Sequence, residues 1–150
     1  MPTSPSDLLE AEAAPRYRLD EQVGFLLRQV SQRHAALFAE GVGDDLTPTQ
    51  WAALAKLAEL GPTSQNLLGR RTAMDAASIK GVVDRLTRRG LVETRPDPED
   101  GRRLLVALTE AGRALAEETA PRALAVSEAT LALLDARERR TLFGLLEKLR

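Results

Sequence analysis

From Leu19 to about Glu40, Val23, Leu26, Leu27, Val30, His34, Leu37 and Phe38 recur at the spacing of one helical face. Gly41-Val42-Gly43-Asp44-Asp45 predicts its stop. A second helix opens on Thr47 as N-cap with Pro48 at its first position. Trp51, Leu54, Ala55, Leu57 and Ala58 are its apolar positions, and Gly61-Pro62 stops it. Ser64 to Arg71 predicts a short helix with Leu67 and Leu68 inward, followed by a turn at Thr72-Ala73-Met74. Asp75 then caps a helix whose Ile79, Val82, Val83 and Leu86 fall at i, i+3, i+4 and i+7, and which stops at Arg89-Gly90.

Two short helices joined by a tight turn make a helix-turn-helix. After it, LVETR (91–95) and RLLVAL (103–108) predict two strands around the turn-rich loop PDPEDGR (96–102), a β-hairpin placed as a wing. Thr109 caps a long alanine-rich helix that Pro121 should kink or interrupt. A last helix, from about Asp135 to Arg150, carries Leu142, Leu145, Leu146 and Leu149 on one face. Residues 1–18, with prolines at 2, 5 and 15, predict a flexible arm. The expected fold is mainly α with a small β-hairpin wing, in the order α-α-α-α-β-β-α-α.

The helix after Asp75 has an outer face that packing alone does not explain. Its first exposed turn is Ala76, Ala77 and Ser78, then Lys80, and Gly81 sits in mid-helix at a cost of about 1 kcal/mol relative to alanine. Small residues here let a helix approach base edges in a major groove, where Ser78 and Lys80 donate hydrogen bonds. Arg85, Arg88 and Arg89 at the far end then grip phosphates. Alternatively the small residues pack against a neighbouring helix. Ser64, Gln65, Asn66 and Arg70 on the preceding helix, and Arg103 at the base of the wing, are further candidate DNA contacts; Ser64-Gln65-Asn66 equally fits a capped helix start. At the wing tip, Asp100 and Arg102 stand two apart. An aspartate holding an arginine there suits insertion into a minor groove, and a plain surface ion pair is the alternative.

Charge changes the picture only through its distribution. The net charge is −1, yet Thr63–Arg103 holds nine Lys/Arg against six Asp/Glu, and the remainder holds twelve against sixteen. A basic middle between acidic flanks suits a nucleic-acid module inside a larger scaffold. With no cysteine and one histidine, thiol chemistry is excluded and neither a metal site nor a cofactor is expected. No catalytic constellation is present, so an enzyme is not expected. No apolar run reaches the 18 residues of a membrane span, and the start of the chain lacks a signal pattern, so the expectation is a cytoplasmic protein without membrane partners.

The stretch from Leu46 to Leu115, about 70 residues, resembles the MarR family of bacterial winged-helix regulators. Its most specific part is a D-x-R wing signature followed by LTEAG, positions held by Asp100, Arg102, Leu108 and Thr109. TAMDAASIKGVVDRL, with EQVGFLLRQVSQRH upstream, looks more like the subgroup controlling aromatic-compound catabolism. The resemblance implies a single MarR-type domain over 19–150, with a winged helix-turn-helix at 46–109 and dimerisation helices at 19–45 and 110–150. It implies a homodimer on palindromic double-stranded DNA, repressing transcription until a small aromatic acid or its CoA thioester binds. The long first stripe and the leucine-rich last helix agree, since one small winged domain cannot cover both. The implied pocket lies between the dimer helices and the DNA-binding lobe. Candidate lining residues are Arg16, Tyr17, Phe25, Arg28, His34, Phe38 and Trp51. His34 is either a satisfied core or interface residue or a donor to a ligand carboxylate or phenol, and Trp51 either core or lining. A winged-helix protein-interaction module without DNA binding is the alternative function; the basic groups Lys80, Arg85, Arg102 and Arg103 weigh against it.

Overall fold

The computed structural model describes residues 14–150. A 3-10 turn at Leu19–Glu21 precedes α1 (Val23–Val42), α2 (Pro48–Leu60), α3 (Gln65–Arg71) and α4 (Ala76–Arg88). Strands β1 (Val92–Pro96) and β2 (Leu104–Leu108) follow, then α5 (Glu110–Thr130) and α6 (Ala136–Leu149). The chain divides into two compact units, with the boundary between Gln32 and Arg33 inside α1. No helix among the described residues is long and apolar enough to cross a membrane.

In the first unit, Gln22 ends the 3-10 turn: its N–H donates to Leu19 O at 3.0 Å and its side-chain amide to Arg18 O at 2.9 Å. Regular α-helix therefore begins at Val23, four residues later than expected. Val23, Leu26, Leu27 and Val30, the apolar stripe of this half of α1, are all exposed. Of the expected arm, residues 1–13 lie outside the described residues, and 14–18 are exposed without regular structure.

The second unit holds the core. Thr47 and Gln50 close a capping box at the start of α2, so two otherwise orphan N–H groups are satisfied at once. Leu54 and Leu57 of α2, Leu68 of α3, and Ile79, Val82, Val83 and Leu86 of α4 meet Leu91, Val92, Val106 and Leu108 of the hairpin region. Each such burial is worth about 1.5–3 kcal/mol, which outweighs the propensity cost of Gly81. β1 and β2 pair antiparallel with Val92 opposite Leu108. Thr63 adds a one-residue third strand, its N–H donating to Val106 O at 2.9 Å and its carbonyl accepting from Val106 N–H at 2.8 Å. That bridge fixes the wing to the entry of α3.

Four expectations are refined by the structure. Pro121 neither breaks nor ends α5, which is continuous from Glu110 to Thr130. The stop falls inside the expected Gly41–Asp45 segment, at Gly43 in the left-handed region at φ 103°, with Gly41 still helical. Gly41 is instead a point of close approach, since a Cβ there would sit 2.7 Å from Val126 Cγ2 on α5. On α2 it is Ala53 that enters the core, while Ala58 is exposed. The alternation expected of LVETR is absent: adjacent Leu91 and Val92 are both buried and the rest of β1 is exposed, because Leu91 belongs to the turn after α4.

Candidate DNA-binding face and cavities

The helix-turn-helix is set by local chemistry. Ser64 Oγ accepts from Leu67 N–H at 3.3 Å and caps α3. Asp75 Oδ1 accepts from Ser78 N–H at 2.7 Å and caps α4. Between them the chain reverses through Ala73, the one described non-glycine residue at positive φ (55°). The Asp75 carboxyl titrates below its ordinary value, chiefly because the Ser78 backbone N–H binds the ionised form, with the Ser78 hydroxyl and Ala77 N–H adding to it.

Ala76, Ala77, Ser78 and Lys80 are all exposed, so they do not pack against a neighbouring helix. Gly81 is half-buried, and what covers it is the mobile end of a side chain: a Cβ there would meet Arg85 Nη2 at 3.3 Å. Lys80 differs from expectation. Its ammonium lies 2.8 Å from Asp84 Oδ2, a pair on the exposed face. The Lys80 hydrogen bond is also the main reason the Asp84 carboxyl titrates low, with Lys80, Arg88 and Arg85 charges assisting. The base contact expected of Lys80 would require it to leave Asp84. Such an exposed i,i+4 pair is weak because solvent screens it, so the exchange is cheap.

Arg85 and Arg88 remain exposed at the far end of α4. Arg89 does not join them. Its Nη1 donates to Asp45 O at 2.6 Å and to Gln50 Oε1 at 3.4 Å, tying the end of α4 to the start of α2. At the wing tip, Asp100 does not hold the Arg102 guanidinium. Its Oδ1 accepts from Arg102 backbone N–H at 3.1 Å, and its carbonyl accepts from Arg103 N–H at 2.9 Å. The aspartate thus shapes the turn, and the Arg102 side chain has no partner among the described residues. Arg103 Nη2 reaches back to Ser64 Oγ at 3.3 Å. Ser64, Gln65, Asn66, Arg70 and Arg103 line one shallow depression of about 430 Å³, so five of the expected contacts are brought together.

Two further hollows are lined by residues of the second unit. Three of the expected effector residues, His34, Phe38 and Trp51, line a cavity of about 220 Å³ together with Ala120, Ala123, Leu124, Val126 and Ser127 of α5. A wider cleft of about 700 Å³ shares Trp51 and Ala120 with it and adds Arg95 and Arg113. His34 Nδ1 lies 2.8 Å from Thr130 Oγ1, and neighbouring Arg33 donates to Thr130 O at 2.7 Å and Ala129 O at 3.2 Å. Arg33 so caps the carbonyls at the end of α5. The other four expected residues belong to the first unit: Arg16, Tyr17 and Arg28 are exposed and Phe25 half-buried. Sequence reasoning missed Arg33, Arg95, Arg113 and Thr130. Arg113 follows the LTEAG motif and was visible there; Thr130 carried no local signal.

A recognition helix with a small exposed face, a capped helix before it and a wing pinned beside it define a winged helix-turn-helix regulator. Residues 44–103 match the model of the MarR family. The chain is 44% identical over 134 residues to the HTH-type transcriptional repressor NicR of Pseudomonas putida, covering 89% of this chain and 85% of NicR. A probable transcriptional regulator from Pseudomonas aeruginosa matches in structure with a TM-score of 0.85 at 59% identity, over 89% of this chain and 100% of that one. Bordetella bronchiseptica BpsR, whose DNA binding is regulated by 6-hydroxynicotinic acid, matches with a TM-score of 0.85 at 39% identity, over 90% and 97% of the two chains. The chain belongs to the MarR family of DNA-binding transcriptional regulators.

Proposed function

We propose that this protein is a homodimeric transcriptional repressor that binds a palindromic operator and is released by a single-ring aromatic acid. In this reading residues 46–109 engage DNA, while 19–45 and 110–150 form the dimer. The observation that carries the DNA half is the start of α4, where Ala76, Ala77 and Ser78 are exposed on a capped helix with Arg85 and Arg88 beyond them. A helix of this profile fits a major groove about 12 Å wide. Arg102, whose side chain has no partner among the described residues, reaches an adjoining minor groove from the wing tip. Support for the effector half comes from the cavity of His34, Phe38 and Trp51. It offers apolar lining for a ring and the His34 imidazole for a polar substituent, and at about 220 Å³ it is small for a CoA thioester. The relation to BpsR points to a hydroxylated pyridine carboxylate. Binding there releases DNA only if the ligand favours the conformation whose two recognition helices do not fit the operator.

The test is a fluorescence-anisotropy titration with DNA upstream of the protein's own gene, at two salt concentrations, with and without hydroxylated benzoic and nicotinic acids and their CoA thioesters. Tight binding that weakens steeply with salt and is released by an acid supports the proposal. Binding released only by thioesters overturns the choice of a free acid, and failure to bind operator candidates across the gene's neighbourhood overturns the repressor reading.

A further inference from the structure

Thr130 makes two contacts through one hydroxyl. Its Oγ1 lies 2.9 Å from Val126 O and 2.8 Å from His34 Nδ1. A threonine hydroxyl has a single proton to donate. The carbonyl of Val126 only accepts, so that proton lies on the Val126 side; otherwise two oxygen lone pairs would face each other at hydrogen-bond distance. Thr130 Oγ1 is then left as an acceptor, and His34 Nδ1 must carry a hydrogen to complete the bond. Arg33 occupies the Thr130 and Ala129 carbonyls, which holds the end of α5 in register with α1 at this point.

We propose that Thr130 locks neutral His34 as its Nδ1–H tautomer, leaving Nε2 as a hydrogen-bond acceptor for the effector. Thr130 is thus a positioning residue that acts through His34. This inference rests on the cavity beside Phe38 and Trp51 being the effector site. The chemical consequence is selectivity: the acid accepted there bears a donor, a ring hydroxyl or a ring N–H, directed at Nε2. 6-Hydroxynicotinic acid carries such a donor in either of its tautomers, and its 6-methoxy analogue has none.

His34 is the only histidine, so its ring is observable without mutagenesis. Long-range ¹H–¹⁵N correlation on untagged, full-length protein at about pH 8, where an ordinary imidazole is neutral, reads the tautomer directly. Wild type should show Nδ1 protonated and Nε2 bare. Thr130→Val should shift the population toward Nε2–H, and Thr130→Ser should restore it. In calorimetry the hydroxy acid should bind wild type about tenfold more tightly than the methoxy acid. That preference should largely disappear in Thr130→Val and return in Thr130→Ser. A bare Nδ1 in wild type, or a tautomer unmoved in Thr130→Val, overturns the inference whatever the acids do. Equal binding of the two acids to a protein with the expected tautomer overturns the selectivity. If neither acid binds and none of the wider panel does, it is the effector reading that fails, and the selectivity with it, while the tautomer stands on its own measurement.

Discussion

Gly81 and Asp75 sit six residues apart in the chain and control α4 in different ways. At Gly81 a methyl group would touch only the movable Arg85 guanidinium, so the fold has no need of glycine there. Gly81→Ala should therefore stabilise the protein by up to about 1 kcal/mol in chemical denaturation. It should still weaken operator binding if, as proposed, the side from which the added methyl projects faces the groove. A stabilised variant with undiminished affinity would place the DNA-reading face elsewhere. Asp75 caps the same helix, and its carboxyl is ionised more readily when folded than when unfolded. Its contribution is present above the unfolded pKa of about 3.9 and is lost as pH falls through the lower folded value. The protection of the Ser78 amide, taken relative to its intrinsic exchange rate, should fall over that acid range. In Asp75→Asn this pH dependence should vanish.

At the level of elements, the LTEAG motif marks a junction. A Cβ at Gly112 would collide with the carbonyl oxygen of Leu91, which already accepts from Thr109 N–H at 3.1 Å. Backbone cannot give way as a side chain can, so Gly112→Ala should destabilise by at least about 1–3 kcal/mol in urea unfolding. Thr109 ties the same corner twice over: its hydroxyl donates to Gly90 O at 2.6 Å and accepts from Gly112 N–H at 3.1 Å. The motif that was legible as a wing signature is, physically, the point where α5 leaves the hairpin and touches the end of α4. An unchanged unfolding midpoint in Gly112→Ala would mean this contact is not tight in solution.

For the whole molecule, the unanswered surface is apolar. On α6, Phe143, Leu145, Leu146 and Leu149 are exposed, as are Val23, Leu26, Leu27 and Val30 of α1. Single exposed leucines are ordinary, but two helices with continuous apolar faces are not. A homodimer that covers them accounts for both. Leu145→Glu combined with Leu149→Glu should yield monomers in analytical ultracentrifugation at micromolar concentration. It should also cost most of the operator affinity, since one winged module loses its tethered partner. Wild-type protein sedimenting as a monomer would remove the dimer from the proposal.

What the sequence determined by itself were the features encoded within a few residues of one another. The caps Thr47, Ser64, Asp75 and Thr109 fall where their hydroxyl or carboxylate chemistry places them. The apolar period of α4 and the wing around Asp100 were equally readable, because a helix face and a tight turn are properties of neighbours i to i+4. Tertiary structure decided which long-range partner each side chain takes. Arg89 looked like a phosphate contact and instead ties Asp45 to Gln50, 44 and 39 residues away. His34 meets Thr130 across 96 residues, and Pro121 is carried inside an unbroken α5. Such outcomes follow from how helices pack, where burial energies of several residues together exceed the local preference of any one.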